Sequence, residues 1–361
     1  MRKFKLYFLF LLTTSVIFTS CSKMPTASSK ESDANLKVNS EKLKETEITS
    51  YINKDITKGK NILYCASFQM AWDELSDNII KDEIKLKDSP ETLKKLNERI
   101  GSKDDLSPES YVVMSGFGRD NIIEKINKEL KEKFKDDAPT VKEELKPDDL
   151  LSYAYLYKNI DFKIPFENLD GKLNFNGEKV KAFGLMTQNK NSDEIAKQVI
   201  VEDYKNNDDF IISIENNSEK DEIILAKVPD KGNLLTTAND ILNRCNLSSK
   251  EKMNSDENLM IPKFDFDIVH SYDELVKKEF LNKGFEDYFI SKAIQDTRFK
   301  LYEKGVVLKS EAKIGCEKGC APEREFIFNK PFMIIMREKG AKSPYFVLWV
   351  ENTELMVKWN W

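Results

Sequence analysis

The chain has 361 residues, 40% of them hydrophobic and 33% charged, with a formal net charge of −5. A mildly acidic chain lacks the basic stripe that neutralises phosphates, which excludes nucleic acid as a partner. The length allows one large domain or two, with enough apolar residues for a real core. The excess of Lys, Glu, Asp and Asn is solvated surface and specifies no function.

Met1 to Lys5 carry Arg2, Lys3 and Lys5, and residues 7 to 18 form an apolar run through Phe8, Leu9, Phe10, Leu11, Leu12, Val16, Ile17 and Phe18. This is the charged head and apolar core of a secretory signal. It is too short to cross a bilayer, which takes about 20 apolar residues. The run ends in Phe18-Thr19-Ser20-Cys21, which resembles the lipobox of bacterial lipoproteins and implies lipid on Cys21. The alternative is ordinary cleavage nearby, with Cys21 left as a free thiol. Residues 1 to 20 are thus expected to be a signal peptide, and the protein to be exported and anchored at a cell surface through Cys21. Removing them deletes three cations and no acid, so the formal charge moves from −5 to −8. Residues 21 to 42 are rich in Ser, Lys, Glu, Ala and Asn and are expected to form a flexible tether, ahead of a domain over 43–361.

A helical pattern begins at about Leu43. Ile62, Leu63, Phe68, Met70, Ala71, Trp72 and Leu75 are dense enough in large residues to predict a buried helix. Ile122, Ile123, Ile126, Leu130 and Phe134 recur at helical spacing and predict an amphipathic helix over 121–134. Beyond Asp148 short β-prone runs follow one another: Leu150 to Tyr157, Lys179 to Leu185, Gln198 to Val201, Phe210 to Ile214 and Glu222 to Val228. Helices are expected over Leu234 to Asn243 and Tyr272 to Leu281. Two final runs, Phe332 to Arg337 and Tyr345 to Val350, form a hairpin through Gly340 and Pro344. Helices first and strands later, without regular alternation, argue for an α+β fold with large antiparallel sheets.

Catalytic chemistry is scarce. The one histidine, His270, has no partners at the spacing of a hydrolase triad or a zinc site. There is no nucleophile elbow, no phosphate-cradling glycine loop and no paired-cysteine metal motif. The chain is expected not to be an enzyme, to need no metal or cofactor, and to be a monomer. Four cysteines follow Cys21, namely Cys65, Cys245, Cys316 and Cys320, too few to serve as a disulfide scaffold for a chain of this length.

Phe328-Asn329-Lys330-Pro331-Phe332, Met333 to Met336, and Lys342-Ser343-Pro344-Tyr345-Phe346 together resemble the C-terminal hairpin of the serpin family. Ile261-Pro262-Lys263-Phe264 is similar to a strand motif of that family. Ile290-Ser291-Lys292-Ala293-Ile294, followed by Glu303-Lys304-Gly305, resembles the strand that leads to the hinge of its reactive loop. Val228-Pro229-Asp230-Lys231-Gly232 is similar to the end of a central strand. Tyr157-Lys158 with Phe162-Lys163-Ile164-Pro165-Phe166 fits the segment after the third strand of its opening sheet, Phe162 standing where Trp is usual. Asn61-Ile62-Leu63-Tyr64 is similar to the start of the core helix. Departures are concentrated under that sheet: Cys65 and Phe68 replace serines, Gln295 a histidine and Ser152 an asparagine. Residues 135–149 are too short for the helix that usually crosses it.

The resemblance implies an α+β serpin fold, with N-terminal helices, large mostly antiparallel sheets and an exposed reactive loop. It also implies inhibition of serine-type, sometimes cysteine-type, proteases by a loop that is cleaved and then inserts as a new strand. The hinge so implied comprises Glu303, Gly305, Val306, Leu308, Ser310 and Ala312, and the scissile region falls at Lys318, Gly319 and Cys320. From Val306 to Ile314 the residues alternate, with Val306, Leu308, Ser310, Ala312 and Ile314 on one face and Val307, Lys309, Glu311 and Lys313 on the other. That alternation buries no charge in one register, and three in the register slipped by one residue. It suits a strand that inserts, or equally one with no need to move, because Val306 to Lys309 are bulkier than the small residues usual at this hinge. Cys316 and Cys320 bracket the scissile region. A disulfide between them would close a small ring worth roughly 2 kcal/mol at most; the alternative is an unpaired couple of thiols. Three functions stay open: a protease inhibitor, a non-inhibitory binding protein at the cell surface, and a substrate that is simply cleaved.

Overall fold

The computed structural model describes residues 36–186, 192–304 and 324–359. The chain opens with three strands, β1 (Leu36–Asn39), β2 (Thr46–Thr49) and β3 (Asn61–Cys65). Helix α1 (Ser67–Glu74) follows and runs on into a π-helical turn over Leu75–Ile80, and then comes α2 (Glu91–Asn97). Next are β4 (Tyr111–Phe117), α3 (Ile122–Phe134) and β5 (Leu150–Leu156). Short strands β6 (Glu167–Asn168), β7 (Leu173–Phe175), β8 (Glu178–Val180) and β9 (Ala182–Leu185) lead to α4 (Ser192–Lys197). Three long strands come next, β10 (Val199–Asn206), β11 (Asp209–Ile214) and β12 (Asp221–Lys227), followed by α5 (Leu234–Leu247). The chain ends with β13 (Glu251–Lys252), β14 (Asn258–Pro262), β15 (Phe264–Ser271), β16 (Ile294–Leu301), β17 (Glu325–Ile327), β18 (Phe332–Glu338) and β19 (Phe346–Val350). The fold is α+β, as its sequence pattern predicts.

An eight-stranded sheet, ordered β13-β10-β11-β12-β18-β19-β3-β2, forms the centre. Every pairing in it is antiparallel except β2 with β3. The unbroken apolar runs of β18 and β19 are buried along almost their whole length because both faces are covered. Helix α5 packs on this sheet through Leu234, Thr237, Ala238, Ile241, Leu242 and Cys245. That 3.6-residue spacing makes one apolar stripe, and the Asn233 side chain caps the helix by accepting from Thr236 N at 2.8 Å. A four-stranded sheet, β17-β14-β9-β6, closes one end. Gly184 permits it, since a Cβ there would collide with the Leu259 carbonyl.

Three smaller sheets lie apart from these, β1-β15-β16, β4-β5 and the short hairpin β7-β8. The inner face of β16 packs on the central sheet, Phe299 stacking on Phe346 with ring centroids 4.5 Å apart. Helix α3 lays Ile122, Ile126, Leu130 and Phe134 over β4 and β5, as its periodicity predicts.

Four expectations are corrected. The helical pattern from Leu43 gives way to β2, and Ile62 and Leu63 lie on β3, the helix starting only at Ser67. A short apolar run does not separate strand from buried helix. Here pairing with β19 and β2 decides, helped by the Asn61 carboxamide, which accepts from Glu351 N and Asn352 N. No helix covers 272–281. Its backbone donates instead to 288–293 (Tyr272 N to Ala293 O, 2.8 Å; Lys277 N to Ile290 O, 2.7 Å; Phe280 N to Tyr288 O, 3.0 Å), and Lys277 has φ 63°. Finally, the stretch expected to be tether up to residue 42 contains β1, which pairs parallel with the edge of β15. Of residues 135–149, Lys135–Asp137 form a short 3-10 helix, and 138–149 hold none.

Candidate functional site

β16 and β5 flank an interruption in the sheet structure. β16 is hydrogen-bonded along one edge to β15 over eight residues, and β5 along one edge to β4 over seven. Among the described residues no ladder joins the two sheets. The charge of Asp296 bears on Tyr153, and those of Asp296 and Arg298 on Tyr155, while Arg298 also acts on Tyr157. Both strands end their sheets and rest on the same helix, α1. Burial, with this neighbouring charge, pushes the Tyr153 and Tyr155 phenols up to about 12.

Helix α1 packs against β4, β5 and β16 alike, and a polar network ties both strands to it. From β5, Ser152 Oγ donates to Ala71 O at 2.6 Å. From β16, Gln295 Nε2 donates to Cys65 O and to Ser67 Oγ, both at 2.9 Å, while its Oε1 accepts from Tyr272 OH at 2.7 Å. Gln295 is 4% exposed and its amide is satisfied on both ends. Gln295 and Ser152 thus bond separately to α1 and the turn that precedes it. Phe68, in place of a serine, packs its ring on Tyr272 with centroids 4.3 Å apart. Burial raises the Cys65 thiol pKa despite hydrogen bonding from Ser67. His270 continues the line, edge-on to Tyr272 and 2.7 Å from Ser40 Oγ through Nδ1. Burial lowers its pKa against the pull of Glu274 and Asp273.

The ends of the strands are pinned by buried charges. Past β5, Lys158 Nζ lies 2.8 Å from Asp221 Oδ1 and 2.5 Å from Glu338 Oε1, and Ser107 donates to Glu338 through both N and Oγ. Burial pushes the Glu338 carboxyl up, but Lys158 and Ser107 outweigh it and hold its pKa below the usual range. Past β16, the Glu303 carboxylate lies 2.6 Å from Lys263 Nζ, and its carbonyl accepts from Phe166 N at 2.9 Å. Lys263, 8% exposed, also meets Asp170 at 3.1 Å. Here too burial opposes and the lysine prevails, leaving Glu303 with a lowered pKa. On the return side the Arg324 guanidinium is held by Glu251 and Glu257, with its centre 5.5 Å from the Tyr204 and Phe326 rings.

Of the residues predicted for the loop, only Glu303 is placed. Gly305, Val306, Leu308, Ser310 and Ala312, the candidate reactive site Lys318, Gly319 and Cys320, and Cys316 lie outside the described residues, as does Cys21. Sequence reasoning missed Lys263 and Arg324 as partners of the loop stems. The only signal for them was a lysine inside an apolar strand motif and an arginine next to a β-run.

No protein-family model matches the chain, and no curated protein matches it. Among solved structures it is similar to Serpin48 of the insect Tenebrio molitor, with TM-score 0.44 and 14% identity over 80% of this chain and 91% of that one. It is similar to human thyroxine-binding globulin complexed with thyroxine, with TM-score 0.47 and 13% identity over 81% of this chain and 92% of that one. Against another thyroxine-binding globulin structure (TM-score 0.39, 16% identity) the match takes in 64% of this chain and spans 65% of the relative, just under two thirds of its length.

Proposed function

We propose that this chain is a serpin-like protein, exported and held at a membrane by lipid on Cys21, that inhibits serine-type and sometimes cysteine-type proteases by presenting a loop which is cleaved and then inserted between β5 and β16. The observation that carries this reading is that β5 and β16, each at the edge of its own sheet and unbonded to each other, rest on one helix. Such a slot accepts a strand with main-chain hydrogen bonds on both sides. Chain length agrees. The Glu303 and Arg324 anchors sit at opposite ends of β14, about 20 Å apart at the usual rise per residue. The nineteen residues between 304 and 324 can extend to roughly 65 Å, leaving ample slack. The protein contributes bait and spring, and the target protease does the chemistry. It acts as a monomer.

The test is incubation of the chain lacking residues 1–21 with trypsin-like, elastase-like and papain-like proteases. A covalent complex that survives SDS, and a gain in thermal stability after loop cleavage, are expected. Absence of both with every protease would sink the inhibitory reading. It would favour the second one, a non-inhibitory binding protein at the cell surface, for which the bulky Val306-Val307-Leu308-Lys309 hinge speaks. Oxidation of Cys316 and Cys320 to a disulfide would keep the two cleavage products linked and block translocation of the protease. Intact mass of the unreduced exported protein showing both thiols free would end that idea.

A further inference from the structure

Helix α3 and the loop that follows it are joined at two points. Before the helix, Gly118 N donates to Asp149 O and Arg119 N to Pro147 O, both at 2.9 Å. Glycine is required at 118, because a Cβ there would collide with the Lys146 carbonyl. Midway along the helix, the Asn127 carboxamide accepts from Val141 N at 2.8 Å and donates to Val141 O at 2.9 Å. A cavity of about 660 Å³ reaches from Gly118 past Asn127 to Lys131. These hydrogen bonds fix its walls before any ligand arrives, and its size is that of a small-molecule pocket.

The two ends of the cavity differ in chemistry. Near Gly118 the walls are apolar, with Ile122 and Ile123 from the helix and Leu145 from the loop. A Cβ on Gly118 would lie only 3.1 Å from that of Leu145. Towards the other end stand Lys128 and Lys131, three residues apart and so neighbours on one helical face. Among the described residues, Lys128 has one ion pair, with Glu132 at 3.9 Å, and Lys131 has none. Nearby acids are engaged elsewhere, Glu129 with Lys133 at 3.2 Å and Glu143 of the loop with Lys292 at 2.7 Å. Glu124 lies at the apolar end, about 10 Å from Lys131 along the helix axis, and disfavours an anion there. A ligand with an apolar body and an anionic head therefore fits one way round.

We propose that this cavity binds a free aliphatic carboxylate, its chain against Ile122, Ile123 and Leu145 and its head between Lys128 and Lys131. The site uses only α3 and the segments on either side of it, so it stands apart from the inhibitory reading and from the anchor.

The test uses the chain lacking residues 1–21, which keeps every described element and removes an apolar run that would itself take up the probe. Dodecanoate is titrated below its micelle concentration, and calorimetry follows binding. Saturable one-to-one binding is expected, with slower deuterium exchange over 118–131 and 141–149. Lys128→Glu combined with Lys131→Glu should weaken it about ten-fold or more at an unchanged urea midpoint, since two attractions become two repulsions. Glu124→Gln should strengthen it about two-fold. Dodecyltrimethylammonium, which has the same chain and the opposite charge, should bind about ten-fold more weakly or not at all. Absence of saturable binding, protection outside those segments, equal affinity for the cation, or indifference to the paired charge reversal overturns the proposal. So does a preference for phosphatidylglycerol vesicles over monomeric dodecanoate, which would make the two lysines a contact for lipid headgroups.

Discussion

The Glu303 carboxylate sits 2.6 Å from the Lys263 ammonium, joining the end of β16 to the junction of β14 and β15 across forty residues of sequence. Glu303→Gln removes one charge of a mostly buried pair. The loss is expected near 3 kcal/mol, the low end for such a break, because Lys263 keeps Asp170 and the Glu303 side chain is 17% exposed. Urea unfolding at neutral pH measures it.

The same pair sets an acid limb. Burial raises and Lys263 more strongly lowers the Glu303 pKa, so the folded value lies below the unfolded one. Its stabilisation is then full above the unfolded pKa, about 4.3, and is lost as pH falls through the folded value. Between pH 5 and pH 3 the wild type should lose more stability than Glu303→Gln. Parallel curves would show that Glu303 is not linked to acid unfolding.

Lys158 holds two carboxylates that are 7% and 11% exposed. Lys158→Met leaves Asp221 and Glu338 facing each other without a cation, a loss expected at about 4 kcal/mol. The urea midpoint should fall with an unchanged slope. If the midpoint moves by less than a quarter of that, the cluster is not what pins the end of β5.

Gln295→Leu strands the Tyr272 hydroxyl and the Cys65 carbonyl without partners, at about 2 kcal/mol. Tyr272→Phe alone should be milder. The two changes together should fall short of their sum by about 1 kcal/mol, the coupling of residues in one network. Strict additivity would show that the hydrogen bond does not link them energetically.

Burial lifts the Cys245 thiol to about 12. At pH 8 its thiolate fraction is about two-thousand-fold below that of an ordinary thiol of pKa about 8.5, so an aromatic disulfide reagent should label it only as fast as the domain unfolds. Rapid labelling of Cys245 in the folded protein would contradict its burial on α5.

Elements with one strong local period were legible from the residues. The stripe Ile122, Ile126, Leu130 and Phe134 gave α3, and the apolar runs around Gly340 and Pro344 gave the β18-β19 hairpin. Where two local readings compete, sequence could not choose. Ile62 and Leu63 suit a buried helix as well as a strand, and Tyr272 to Leu281 has helical spacing, yet its backbone found partners in 288–293. β1 was hidden by a polar neighbourhood, and four residues pair with an edge only because β15 is there.

The sequence by itself determined the α+β class, the alternation of Val306 to Ile314 and the spare length of chain after β16. These follow from side-chain period and residue count, which do not depend on what packs against them. Tertiary structure decided which charges meet, Glu303 with Lys263 and Arg324 with Glu251 and Glu257, because each pair is brought together by strands distant in the chain. It also decided that β5 and β16 bond to α1 through Ser152 and Gln295, with no ladder between them. No local pattern encodes a hydrogen-bond ladder that two neighbouring strands leave unmade.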